Sequence, residues 1–97
     1  MPALTDSPPD SVLDRPLELA PDVSVRPESF GALLYSFGTR RLSFLKDRRL
    51  LDVVQALGTS ATAREACATA GVTPDQLASY DAALARLLRT DLLQEAS

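Results

Sequence analysis

The spacing of apolar residues in this chain changes once, at Asp47, and that change decides the class of fold. Between residues 22 and 45 apolar and polar side chains alternate in three short runs; beyond Asp47 apolar side chains recur every three or four residues. Alternation marks a half-buried strand, and the longer spacing marks an amphipathic helix. Residues 22–26, 32–37 and 41–45 are therefore three predicted strands, with Gly38-Thr39 at a tight turn between the last two. Helices are predicted from the Asp47 cap to about Leu57, from the Thr62 capping box to Thr69, and from Thr73-Pro74 to about Arg89. Short consecutive strands pair as an antiparallel meander. The expected fold is α+β and winged-helix-like, a three-stranded antiparallel sheet followed by three helices.

Six of the seven prolines fall within the first 27 residues. Residues 1–16 hold Pro2, Pro8, Pro9 and Pro16 among acids and serines, with no period. They are expected to be a disordered acidic tail, followed by one domain over residues 17–97. No apolar run approaches 18 residues and no basic-then-apolar N-terminus is present, so neither a membrane span nor a secretory signal is predicted. The single cysteine, Cys67, excludes an internal disulfide framework. A cytoplasmic location follows by elimination.

Enzymatic chemistry finds little to work with. The chain has no His, the usual near-neutral general base and commonest metal ligand. One Cys cannot build a zinc site, and the four glycines are too dispersed to cradle a phosphate. A non-catalytic chain without metal or cofactor is the expectation. Cys67, between Ala66 and Ala68, reads as a small buried hydrophobe, and Tyr35, Phe37 and Phe44 read chiefly as core.

The charge of −3 hides a gradient: residues 1–22 sum to −4, residues 23–58 to +3 and residues 59–97 to −2. The basic middle is concentrated in Arg40, Arg41, Lys46, Arg48 and Arg49. Such charges guard an edge strand against unwanted sheet growth, and equally they attract an acidic peptide. Residues 62–88 have the spacing of a helix-turn-helix, which alone points to a DNA-binding regulator. Against that, the second helix carries Asp75 and Asp81 and no Lys or Arg before Arg86, a distribution that repels phosphate.

The last strand, 41–45, is one edge of the predicted meander. If the last helix lies beside it, an extended peptide can pair with the strand backbone while its side chains enter the groove. The alternatives are that the N-terminal residues cover this edge, or that two copies pair through it.

These residues also carry a resemblance. Leu19-Ala20-Pro21-Asp22-Val23, Gly31-Ala32-Leu33-Leu34-Tyr35 and Arg41-Leu42-Ser43-Phe44-Leu45 before a capped helix resemble the RiPP recognition elements, the precursor-binding domains of ribosomal peptide biosynthesis. Arg26-Pro27-Glu28-Ser29-Phe30-Gly31, with Phe37-Gly38-Thr39-Arg40, is more narrowly similar to the mycofactocin-system chaperones. The likeness covers about residues 17–93. It implies a chaperone that binds a precursor leader and delivers it to a radical S-adenosylmethionine enzyme, whose iron–sulfur chemistry belongs to that partner. It further implies that the leader adds as a strand along Arg41, Leu42, Ser43, Phe44 and Leu45, against Ala83, Arg86 and Leu87 of the last helix. Arg40 completes the expected binding set as part of the basic cluster, and no nucleic acid or membrane enters this reading.

Overall fold

Asp47 is the joint between sheet and helices in the computed structural model, which describes residues 11–96. The strands are β1 (Leu17–Leu19), β2 (Val23–Glu28), β3 (Gly31–Ser36) and β4 (Leu42–Leu45). After Asp47 come α1 (Arg48–Ala56), α2 (Ala63–Thr69) and α3 (Leu77–Arg89), and the chain closes with β5 (Leu93–Glu95). The three predicted strands and three predicted helices are all present, within one or two residues of the expected bounds except at the start of the last helix, where α3 begins at Leu77 rather than at Thr73-Pro74. The sheet is antiparallel in the order β2-β3-β4, with Val25 opposite Leu34 and Leu34 opposite Ser43.

Local chemistry explains the helix starts. Asp47 has extended backbone and accepts the Arg49 N–H at 2.8 Å, satisfying one of the donors that a helix start leaves over. Thr62 accepts from Glu65 N in the same way, while the Glu65 carboxylate reaches Ala61 N rather than the cap itself. Before α3 a short turn, Pro74–Gln76, is wound as a 3-10 helix, and the Gln76 side chain accepts from Thr73 N.

Period two fixes two faces of each strand but not which one is covered, and here the structure corrects the expectation. Ala32, Leu34 and Ser36 of β3 face the helices and are buried, whereas Leu33 and Tyr35 point to the other side. Phe37 and Phe44 are on the exposed side as well, 64% and 51% accessible, and are not core. The core is aliphatic: Leu34 and Leu45 meet Leu50, Leu51, Val53 and Val54 of α1, and behind them lie Cys67, Leu84 and Leu87. Small residues on β3 let α1 approach the sheet closely. The buried Ser36 hydroxyl is satisfied, donating to the Asp22 carboxylate and accepting from Thr39 N.

Two features lie outside the expected plan. Leu17–Leu19 pairs antiparallel with Leu93–Glu95, a small second sheet that ties the two ends of the domain together. Order also begins earlier than Leu17. Val12 and Leu13 are buried, Val12 N donates to the buried Asp81 carboxylate at 2.9 Å, and Leu13 and Arg15 carbonyls accept from Arg64 and Ala63. Residues 11–16 are therefore part of the domain rather than of a loose tail; the remainder of that predicted tail, 1–10, lies outside the described residues. The turn between β3 and β4 spans Phe37 to Arg40 rather than two residues, with Arg40 at φ 58° in the left-handed region.

Candidate functional site

Among the described residues β4 is the last strand of its sheet, and its open side runs along α3 in the opposite direction. At the start of β4, Arg41, Leu42 and Ser43 share a depression with Thr90 and Leu92. In the middle, residues 42–46 face Leu50 and Arg86 across a hollow of about 480 Å³. At the far end Asp47 and Leu50 meet Ser79, Tyr80 and Ala83. Together these make one groove, floored by the strand edge and walled by a helix.

The helix contributes a single stripe. Ser79, Ala83, Arg86 and Thr90 follow one another at spacings of four, three and four, so they share one face of the helical surface. The adjoining stripe of Tyr80, Leu84 and Leu87 turns inward. Of the residues expected to bind, Arg41 through Leu45, Ala83 and Arg86 line the groove. Leu87 does not: it is 1% exposed and belongs to the core. Arg40 shapes the turn that delivers the chain into β4. Leu50, Lys46, Ser79 and Thr90 were missed, although a projection of the helical stripe through Ala83 and Arg86 identifies Ser79 and Thr90.

The register of β4 shows which backbone groups face the groove. Ser36 N donates to Arg41 O at 2.9 Å, so Ser36 and Arg41 form a hydrogen-bonded pair. Such pairs alternate along an antiparallel ladder. Arg41, Ser43 and Leu45 therefore direct N–H and C=O toward β3, while Leu42 and Phe44 direct theirs to the open side. A guest strand finds two donors and two acceptors there, with Arg41, Lys46 and Arg86 around them.

Asp47 and Tyr80 close the far end. The Tyr80 hydroxyl donates to Asp47 Oδ2 at 2.5 Å. Burial pushes the Tyr80 phenol up to about 12, and its bond to the Asp47 carboxylate adds to the shift. For Asp47, burial acts to raise the pKa, but the Tyr80 hydroxyl, the Arg49 and Leu50 N–H groups and the Arg49 charge hold it below the ordinary value. The phenol is favoured neutral in the folded state, so its contribution is complete below the unfolded value of about 10 and is lost as pH rises toward 12. Tyr80→Phe should lower stability by about 1–2 kcal/mol at pH 7, and the deficit should shrink between pH 10 and 12. Thermal denaturation of both proteins across that range checks it; a constant deficit would show that the hydrogen bond is not the cause.

Among the described residues no group of three His, Cys, Asp or Glu is placed to hold a metal ion, and no helix is long and apolar enough to cross a membrane. Cys67 is fully buried, and burial pushes its thiol up. Asp81, expected to repel DNA from the surface, is instead a buried partner of Val12, which leaves Asp75 alone as the exposed acid before α3.

Residues 16–94 match the model of the peptide chaperone MftB family. The chain belongs to that family. It is 54% identical over 71 residues to the protein named Peptide chaperone MftB of Mycolicibacterium smegmatis, which is 73% of this chain and 70% of that relative. Over 80 residues it is 51% identical to the protein of the same name from Mycobacterium tuberculosis, 82% of this chain and 73% of the other. No solved structure matches. The matched span includes both sheets almost entire and every helix, so the groove lies wholly inside it.

Proposed function

We propose that this chain is the leader-binding chaperone of a mycofactocin-type precursor peptide, a non-catalytic domain that presents its guest to a radical S-adenosylmethionine enzyme. The observation that carries the reading is the groove: an edge strand with the backbone groups of Leu42 and Phe44 directed outward, beside a helical wall. Membership of a peptide chaperone family agrees with it. The leader would extend the sheet as a fourth strand, its alternate side chains entering the hollow between Leu50 and Arg86. Holding the leader in this way raises the local concentration of the linked peptide core at the modifying enzyme.

Arg41, Lys46 and Arg86 border the groove and would steer an acidic segment. Fluorescence anisotropy with a labelled leader tests the reading. Arg41→Glu and Arg86→Glu should each weaken binding by about tenfold, and raised salt should weaken the parent complex because these charges are exposed. Leader binding equally tight in both variants would place the peptide elsewhere. The helix-turn-helix alternative has less support, since α3 carries no basic residue before Arg86.

A further inference from the structure

The second face of the sheet is unlike an ordinary solvated surface. Phe30, Phe37, Leu42 and Phe44 are 44%, 64%, 54% and 51% exposed, and Leu33 and Tyr35 lie half-buried between them. Across the strands Leu33 stands beside Phe44 and Tyr35 beside Leu42. The Phe30 and Phe44 rings lie 6.2 Å apart, and Tyr35 and Phe37 meet edge to face at 4.9 Å. Among the described residues no helix covers this side. The exposed apolar area is on the order of a few hundred Å², comparable to the largest apolar patch of an ordinary monomer, which is often functional.

We propose that this outer face, centred on Phe30, Leu33, Tyr35, Phe37, Leu42 and Phe44, docks the peptide-modifying enzyme through an apolar patch bordered by carboxylates. The proposal rests on the function proposed above and supplies its second surface. Charge complementarity argues for an acidic partner. The chain around β4 carries Arg40, Arg41, Lys46, Arg48 and Arg49 against Asp47 alone, and Asp47 is engaged as a helix cap. Arg41 and Lys46 line the groove and Arg48 and Arg49 open α1, so these charges flank the outer face rather than lie on it. None of these five cations is in an ion pair among the described residues. A second copy laid face to face with its β4 over this β4 would bring two such borders together, which like-charge repulsion opposes.

The geometry also links the two surfaces. A leader paired with Leu42 and Phe44 alternates its side chains, half into the groove and half onto the outer face. The enzyme would then meet chaperone and peptide as one extended sheet, and should bind the loaded chaperone more tightly than the empty one.

Phe30 and Phe37 do not line the groove, which makes Phe30→Ser/Phe37→Ser the decisive variant, with Phe37→Ser alone as its milder counterpart. Leader affinity by anisotropy should stay within about twofold of the parent, while affinity for the purified radical enzyme, measured with and without leader, should fall by about tenfold or more. Circular dichroism confirms that each variant is folded. Enzyme affinity unchanged in the double variant overturns the proposal. Concentration-dependent dimerisation that the variant abolishes, without any change in enzyme binding, overturns it in favour of a second copy. Sedimentation of the parent, but not the variant, with phosphatidylserine vesicles, again with enzyme binding unchanged, overturns it in favour of a membrane. If the parent fails to bind leader, the function proposed above fails instead, and the outer face is still judged by enzyme binding alone.

Discussion

Proline at position 44 should abolish most leader binding and leave the domain folded, whereas proline at position 43 should disrupt the sheet. The two positions are neighbours with opposite backbone directions. Ser43 sits in a hydrogen-bonded pair with Leu34, so Ser43→Pro removes a ladder donor from β3–β4 and forces the edge away from the core. Phe44 directs its N–H to the open side, where edge strands accept proline. Phe44→Pro leaves a carbonyl of the incoming peptide without its donor, a loss of about 1–3 kcal/mol, or roughly 5- to 150-fold in affinity. Phe44→Ala retains the N–H and should weaken binding much less. Anisotropy with labelled leader, alongside thermal denaturation of all three variants, separates these outcomes. A folded Phe44→Pro protein that binds leader like the parent would exclude strand addition along β4.

How far the sequence reveals this site depends on how local each signal is. Caps are local: Asp47 and Thr62 are recognisable from a few neighbours, and both bond as expected. Alternation is local too, and it located all three strands of the main sheet. It does not say which face is covered, and a preference for aromatic cores pointed the wrong way. The covered face of β3 carries Ala32 and Ser36 because α1 packs closely there, and the rings were left outside. Pairing between β1 and β5 joins three-residue segments from opposite ends of the chain, too short to show a period. The groove was half legible. Ala83 and Arg86 were found, but Leu87 is one residue, or 100° of helical turn, beyond Arg86 and so joins the inward stripe of Tyr80 and Leu84. Val12-Leu13 was an available apolar signal in the acidic segment, masked by the prolines around it.

The largest loss of stability among the substitutions considered is expected from Gly31→Ala, and it bears on function because Gly31 sets where β4 lies. Gly31 has φ 148°, a conformation that residues with a Cβ rarely adopt. A Cβ there would stand 1.9 Å from the Leu45 carbonyl oxygen and 3.0 Å from Asp47 N. Both obstacles are backbone, so neither can swing aside. Relief requires the end of β4 to separate from β3, withdrawing Leu45 from the core and pulling on the Asp47 cap of α1. More than about 4 kcal/mol of destabilisation is expected, a large fraction of a small domain's stability. At this chain length that corresponds to a fall in Tm of more than about 15 °C. Gly38→Ala provides the contrast: its Cβ would meet the Asp22 carboxylate at 2.2 Å, and a side chain can rotate away. That variant should lose about 1–2 kcal/mol, the worth of the Asp22 bonds to Gly38 N and to the Ser36 hydroxyl. Comparable melting of the two variants would show that β4 tolerates displacement at Leu45. In that event the groove between β4 and α3 would be adjustable, and its width in the free chain would not determine which leader it accepts.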